Sequence, residues 1–405
     1  MEYPTLEKLF HIDTSSDRFS AHERLLRERM NGESSFRTGI ELNTGELFLA
    51  IPRELSIATE RILRCERRVF ALWRELPTIA LGAFIRSLIM DEVVFSNEIE
   101  GVHSTRRQIE AALESQTDKH TPFVEFAHMY LKLIDNPMPP TSLADVRAIY
   151  DAVTVDAIAP KDIPRASLFR TGPVEIVNHQ GRTVHKGVEP SETIEQMMEQ
   201  WLALSLSEEM PELYSSILCH FLFEYIHPFY DGNGRTGRYL LALHLSRPLS
   251  QPTVLSLSRI IAENKVTYYK AFDITERKLN NAEGTHFVLT ILQLIAQAQE
   301  ELIADLETKN AAIEELGKRI EALSGSLPNR TCETLFYAAQ MHLYNALREF
   351  RLAGLTEHLK VSKPTARKTL TQLKEDGMLE QTAMRPPTYR LTGRGLELLG
   401  LSPEA

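Results

Sequence analysis

The run His227-Pro228-Phe229-Tyr230-Asp231-Gly232-Asn233-Gly234-Arg235-Thr236-Gly237-Arg238 gathers an imidazole, a carboxylate and two guanidinium groups around an amide flanked by glycines. Histidine is the group in this run with a pKa near neutral, so His227 is the natural general base. Asp231 is a hard oxygen ligand, suited to Mg2+ shared with substrate phosphates. Arg235 and Arg238 lie three apart, so both can reach one side of a helix and grip phosphate bidentately. Gly232 and Gly234 permit close backbone approach and positive φ. Each part alone has a bland reading: a structural histidine, an Asp-Gly turn, a solvated arginine pair. Together, in this order, they describe a polyphosphate grip with a base beside it.

The flanking elements must hold that grip. An apolar helix from Leu213 to Ile226 delivers the chain to His227, and Pro228 ends it. Helical spacing resumes after Gly234, which puts the loop at a helix N-terminus, where open N–H groups and the helix dipole attract anions. Most of the chain reads the same way, as a mainly α fold. Apolar residues recur at three- and four-residue spacing over 54–75, 78–100, 142–157, 191–206, 211–226, 235–247 and 256–280. A long helical stretch covers 285–323. From Glu300 onward it reads as a solvated helix linking domains or as a dimerising coiled coil. The segment 174–184 breaks the pattern: two short β-prone runs around Asn178-His179-Gln180-Gly181 predict a hairpin.

The run at 227–238 resembles the signature of the Fic family, H-x-F-x-[DE]-G-N-G-R-x-x-R, at every defined position. The resemblance extends over roughly residues 80–300. It implies an α-helical core that transfers AMP from ATP to a Ser, Thr or Tyr hydroxyl of a protein and releases pyrophosphate. By the same resemblance, His227 deprotonates the hydroxyl and Asp231 holds Mg2+ on the phosphates. Gly232, Asn233 and Gly234 form an anion hole, and Arg235 and Arg238 bind the outer phosphates. The hairpin, with Val174, Ile176 and Val184, stands where the family carries a flap that pairs with an extended target segment. The family's kinase branch carries lysine where this chain has Gly234-Arg235.

Ser96-Asn97-Glu98-Ile99-Glu100-Gly101 ends a helix, with Gly101 as its C′ residue. It is similar to the family's inhibitory motif [ST]-x-x-x-E-[GN]. The resemblance implies that Glu100 pairs with Arg238 and blocks placement of the γ-phosphate. A carboxylate suits that task, because it competes with phosphate for the same guanidinium. Some relatives also remove AMP, using this glutamate to orient water.

Beyond Ser324-Gly325-Ser326-Leu327-Pro328-Asn329, a plausible linker, the order is helix, turn, helix and hairpin, the pattern of a winged helix-turn-helix. Lys363, Thr365, Arg367 and Lys368 open its second helix, and Arg385 and Arg390 lie on the wing. That is a footprint for DNA. Such folds also mediate protein contacts. The alternative function is therefore a DNA-binding regulator whose core senses ATP.

The expected domains are 1–110, helical with the inhibitory helix; 111–323, catalytic; and 330–405, winged helix. The 405 residues carry a formal net charge of −10, so a protein basic throughout is excluded while a local basic patch is not. Cys65, Cys219 and Cys332 are far apart and odd in number, which predicts buried free thiols rather than disulfides or zinc. No basic, then apolar, N-terminal run suggests a signal peptide, and no window approaches 18 uninterrupted apolar residues. The expected setting is cytoplasmic, without a membrane. The resemblance also allows a homodimer.

Overall fold

The computed structural model describes residues 3–115, 121–155, 158–159, 161–177 and 183–403. Two compact units emerge, neither continuous in sequence: residues 1–66 with 91–300, and residues 67–90 with 301–405.

The first unit opens with α1 (Leu6–Ile12) and α2 (Arg18–Met30), then β1 (Ser35–Leu42) and β2 (Gly45–Ala50). The two strands form an antiparallel sheet. The sequence reading treated this region as wholly helical. The signal lay in the alternation of Ile40, Leu42, Leu47 and Leu49, all buried, on either side of the turn at Asn43-Thr44. Helices α3 (Arg53–Arg74) and α4 (Thr78–Ile99) follow, then α5 (Arg106–Glu114), α6 (Val124–Asp135) and α7 (Leu143–Thr154). Capping boxes start α5 at Thr105 and α7 at Ser142.

Strands β3 (Glu175–Val177) and β4 (Thr183–Lys186) pair antiparallel, as the hairpin reading expected. Residues 178–181 and the side chain of Val184 lie outside the described residues. Next come α8 (Ser191–Leu206), α9 (Glu212–Ile226) and α10 (Asn233–Leu245). Helix α9 is apolar on all sides and is the buried centre of the unit, with Ile217, Leu218, Phe221 and Leu222 fully enclosed. Trp201 of α8 donates its indole N–H to the Cys219 carbonyl at 2.8 Å.

The helix expected over 256–280 is divided. After α11 (Gln251–Val254), α12 (Leu257–Glu263) and α13 (Lys265–Glu276) meet at Asn264, and a 3-10 turn covers Lys278–Asn280. Asn264 bends the chain by returning its side-chain amide to the Ile260 carbonyl at 2.9 Å. Helix α14 (Thr285–Leu323) is long and apolar enough to span a membrane. Its first half is core instead, with Phe287, Val288, Ile291 and Leu292 fully buried.

The second unit contains the tip of the α3–α4 hairpin and the far half of α14. Most of that half is exposed or half-exposed, as a solvated helix would be, but one side of it packs within the unit. Leu306 and Leu316 are buried, Arg68 pairs with Glu307 at 2.6 Å, and the Lys309 ammonium lies 4.4 Å from the Phe84 ring centroid. After it come α15 (Asn329–Tyr344), β5 (Phe350–Arg351), α16 (Leu352–Leu359), α17 (Lys363–Glu375), β6 (Leu379–Met384), β7 (Pro387–Leu391) and α18 (Gly393–Leu399). The sheet order is β5-β7-β6. Helix, turn, helix and hairpin follow the sequence reading; α15, the short β5 and α18 are additions.

Candidate functional site

Helix α9 stops because His227 takes a left-handed conformation (φ 53°) with its N–H still bonded to the Phe223 carbonyl. Tyr150 of α7 stacks on Phe229 at 3.6 Å between centroids and supports the loop that follows. The Asn233 side chain closes this loop: its carbonyl accepts from the Phe229 N–H at 2.9 Å, and its amide donates to the Phe229 oxygen at 2.8 Å. Only the backbone of Asn233 is thus left to meet an anion. Gly232 uses its freedom at φ 82°, with Thr154, Ile158 and Tyr150 crowding the place of a Cβ. Gly234 does not; it is helical and is required for space, because the Glu100 carboxylate fills the place of a Cβ.

No side chain caps α10, so its first N–H groups face the loop open. The carboxylate of exposed Asp231 accepts from the Gly232 N–H at 2.6 Å. Arg235 is buried, and its Nε and Nη1 have no hydrogen-bond partner. Burial lowers the pKa of its guanidinium, against the pull of Asp231. A buried guanidinium with two donors unpartnered beside an uncapped helix N-terminus has the chemistry to hold an anion.

Arg238, one turn further on, is fully engaged. Nε donates to the Ser96 hydroxyl at 3.1 Å, Nη2 to the Ser96 carbonyl at 2.8 Å and Nη1 to Glu100 at 2.9 Å. Burial works most strongly against its charge, but Glu100, Tyr268, Tyr269 and Glu224 together raise the pKa. Gly101 (φ 73°) ends α4 and turns the chain so that Glu100 faces α10. Ser96, Glu100, Arg235, Arg238 and the loop therefore meet in one place.

His227 donates from Nδ1 to the Glu224 carbonyl at 3.3 Å, which leaves Nε2 as the acceptor. Burial, aided by nearby His185, pushes its pKa down to about 4, so the ring is neutral at pH 7.

Three residues of this site escaped sequence reading. Arg170 is buried and donates to the carbonyls of His227 (2.7 Å), Gly172 (2.7 Å), Val188 (2.8 Å) and Ile226 (3.3 Å). It ties both ends of the β3–β4 hairpin to the histidine. His185 of β4 bonds Glu276 and the Tyr225 carbonyl, each at 2.8 Å. Both partners are acceptors, so both ring nitrogens donate. Burial opposes that charge, yet Glu276 raises the pKa. Glu224 has Oε1 buried without a partner; burial first, then Glu100, lifts its pKa to about 8. The available signal was a single acid in the apolar run of α9.

Val174 and Ile176 are half-buried, with Ile176 opposite His185. In the second unit, Lys363, Thr365, Arg367, Lys368 and Arg385 are exposed. Thr365 is engaged at the helix cap with Ser362, and Arg390 is paired with Glu380. The structure therefore leaves Lys363, Arg367 and Lys368 as the open basic face of α17. Cys219 and Cys332 are buried thiols, Cys65 is half-buried, and none forms a disulfide.

Residues 140–245 match the Fic/DOC family, so the chain carries a Fic domain. Two curated relatives are the protein adenylyltransferases fic-1 of Caenorhabditis briggsae, 25% identical over 187 residues, and of Caenorhabditis elegans, 28% identical over 131 residues. These matches take in 45% and 31% of this chain but only 33% and 24% of the relatives' own length. Among solved structures, a Fic family protein from Desulfovibrio desulfuricans G20 aligns with a TM-score of 0.52 at 21% identity, covering 85% of this chain and 97% of that one. The overall fold is therefore Fic-like.

Proposed function

From a chain that carries a Fic domain, we propose a protein adenylyltransferase that moves AMP from ATP to a Ser, Thr or Tyr hydroxyl of a target protein, and of itself. The observation that carries this reading is Arg235, whose buried Nε and Nη1 lack a partner at the uncapped start of α10. Phosphate oxygens supply those partners. Nε2 of neutral His227 accepts the hydroxyl proton. The hydroxyl oxygen attacks the α-phosphorus in line, and the bond to the β-phosphate bridging oxygen breaks, releasing pyrophosphate. The open N–H groups of Asn233 and Gly234 stabilise the charge that builds on the phosphate oxygens.

Asp231 fits Mg2+, since a hard cation sharing phosphate oxygens needs few protein ligands. Among the described residues, no group of three or more His, Cys, Asp or Glu side chains forms a metal site without substrate. When bound, Mg2+ supplies neutralisation of the α- and β-phosphate charge.

In this reading Glu100 restrains the enzyme. Its carboxylate lies against Gly234 and on Arg238, where the outer phosphates belong. Label transfer from α-32P-ATP tests both parts: Glu100→Gly raises labelling above wild type, and adding His227→Ala abolishes it. Equal labelling with and without His227 overturns the catalytic role.

The open basic face of α17 favours a second activity. The C-terminal helices and sheet form a winged helix-turn-helix that binds DNA through Lys363, Arg367 and Lys368. Its affinity in gel shifts then falls steeply with salt, and charge reversal of the three residues flattens the slope. A salt-independent shift excludes it.

A further inference from the structure

The family signature leaves the two positions between Arg235 and Arg238 open, and Gly237 is one of them. It is helical, so its φ needs no glycine. It is required for space, because the Glu224 carboxyl fills the place of a Cβ and the Phe223 ring lies beside it. Gly234 is cleared in the same way for Glu100. Positions three apart on a helix are neighbours on one face, with Cβ sites about 5–6 Å apart. Two carboxyl groups, one from the end of α4 and one from α9, therefore stand side by side over α10. One of them, Glu100, is on Arg238.

Glu224 has no partner for its buried Oε1. The groups that face it are Glu100, Arg238, His185 of β4, and Tyr268 and Tyr269 of α13. Arg238 directs its three nitrogens to Ser96 and Glu100. His185 directs both ring N–H groups to Glu276 and the Tyr225 carbonyl. Burial raises both tyrosines, so they stay neutral to pH 9. His220, one turn earlier on α9, is neutral because burial lowers its pKa to about 3. It donates Nδ1 to the Gly237 carbonyl at 3.1 Å and accepts the Tyr268 O–H at 2.7 Å. Ionised Glu224 would be a second anion beside Glu100 with a buried oxygen unpaired. Burial first, and then Glu100, keep it protonated at pH 7 instead. A protonated carboxyl has an O–H to give.

We propose that Glu224 is a further phosphate-binding residue, which as a neutral acid donates its O–H to an outer phosphate oxygen of ATP once Glu100 has left Arg238. This deepens the transferase reading and rests on it. The phosphate that replaces Glu100 on Arg238 arrives one helical step from Glu224. It brings the acceptor that the buried carboxyl lacks. Being an anion, it also holds the proton in place as Glu100 did. Ionised Glu224 repels the same phosphate, so ATP binding takes up a proton wherever the free protein has lost it.

The test uses the full chain with Glu100→Gly and Mg2+, with ATP and AMP as probes in calorimetry. Burial, the first cause of the raised value near 8, remains in that variant, so ATP affinity is expected to fall about tenfold between pH 7 and pH 9. AMP, which lacks the outer phosphates, binds equally at both. At pH 8.5 the phosphates are already fully ionised. ATP binding there, measured in two buffers of different ionisation enthalpy, takes up most of a proton, and AMP binding takes up none. Glu224→Gln keeps a donor and cannot ionise; it flattens the ATP profile and removes the proton uptake. Glu224→Met, of similar shape without a donor, weakens ATP about tenfold at both pH values. ATP affinity independent of pH, or a fall that AMP shares, overturns the proposal. So does a fall that survives in Glu224→Gln, which assigns the titration to another group such as His185, and so does equal ATP binding by the Met and Gln variants. Label transfer from α-32P-ATP is read in parallel. The expected ATP behaviour without any labelling overturns the transferase reading and leaves a nucleotide site; labelling without that behaviour overturns the role of Glu224 alone.

Discussion

Glu100 and Arg238 form an ion pair at 2.9 Å in which the arginine side chain is 2% exposed and the glutamate 31%. The asymmetry decides what each partner contributes. Arg238 cannot return to water when Glu100 leaves, so the contact holds a buried cation that needs an anion. A phosphate and a carboxylate are interchangeable for that need.

Removing the carboxylate should therefore cost stability and create ligand dependence. Glu100→Ala is expected to lose about 1–2 kcal/mol without ligand, a breakage cost discounted because Glu100 is partly solvated. Saturating ATP should restore more of it to the mutant than to wild type. Thermal unfolding with and without ATP checks this; equal ATP shifts in the two proteins would contradict it.

Arg170 ties the hairpin to the histidine loop, and its loss leaves the carbonyls of His227, Gly172 and Val188 short of a donor. Arg170→Ala is expected to destabilise the fold by about 2–4 kcal/mol. In a Glu100→Gly background it should lower kcat/KM for label transfer more than ATP affinity. Arg170→Lys should recover little, because an ammonium cannot fan its donors to these carbonyls. Full recovery by lysine would refute the positioning role.

Glu224, with its pKa raised to about 8, keeps its proton in the fold at pH values where the unfolded chain has lost it. The native state binds more protons between about pH 4.5 and 8, so its stability falls as pH rises through that window. Glu224→Gln removes this dependence. Melting curves from pH 5 to 9 should show wild type losing ground to the mutant until about pH 8 and no further. Parallel pH profiles would place the carboxyl in a solvated setting.

His227, with its pKa lowered to about 4, should remain a competent base well below the usual histidine range. The acid limb of kcat/KM in Glu100→Gly is expected near pH 4 rather than 6.5. His185→Gln removes a positive neighbour whose ring centroid is 6.4 Å away, and should move the limb upward. A limb at 6.5 in both proteins would mean that the histidine titrates in water.

The residues proposed for the chemistry were legible because they are consecutive. A base, a carboxylate, a glycine loop and two arginines within one turn-helix junction keep their spacing whatever surrounds them. The same holds for the apolar α9, the C-terminal helix pair and the helix end at Glu100, whose signals are local periodicity and caps. Three-dimensional packing decided the rest. Arg235 and Arg238 look alike in sequence, yet one is unpartnered and the other is held by Ser96 and Glu100, residues more than a hundred positions away. Asn233 spends its side chain on its own loop, and Gly234 is needed for clearance rather than for its φ. Arg170, His185 and Glu224 act through carbonyls and burial, neither of which has a letter in the sequence. Periodicity fixes which face of a helix is apolar, but only the packed neighbours determine which buried charge has a partner and which still awaits one.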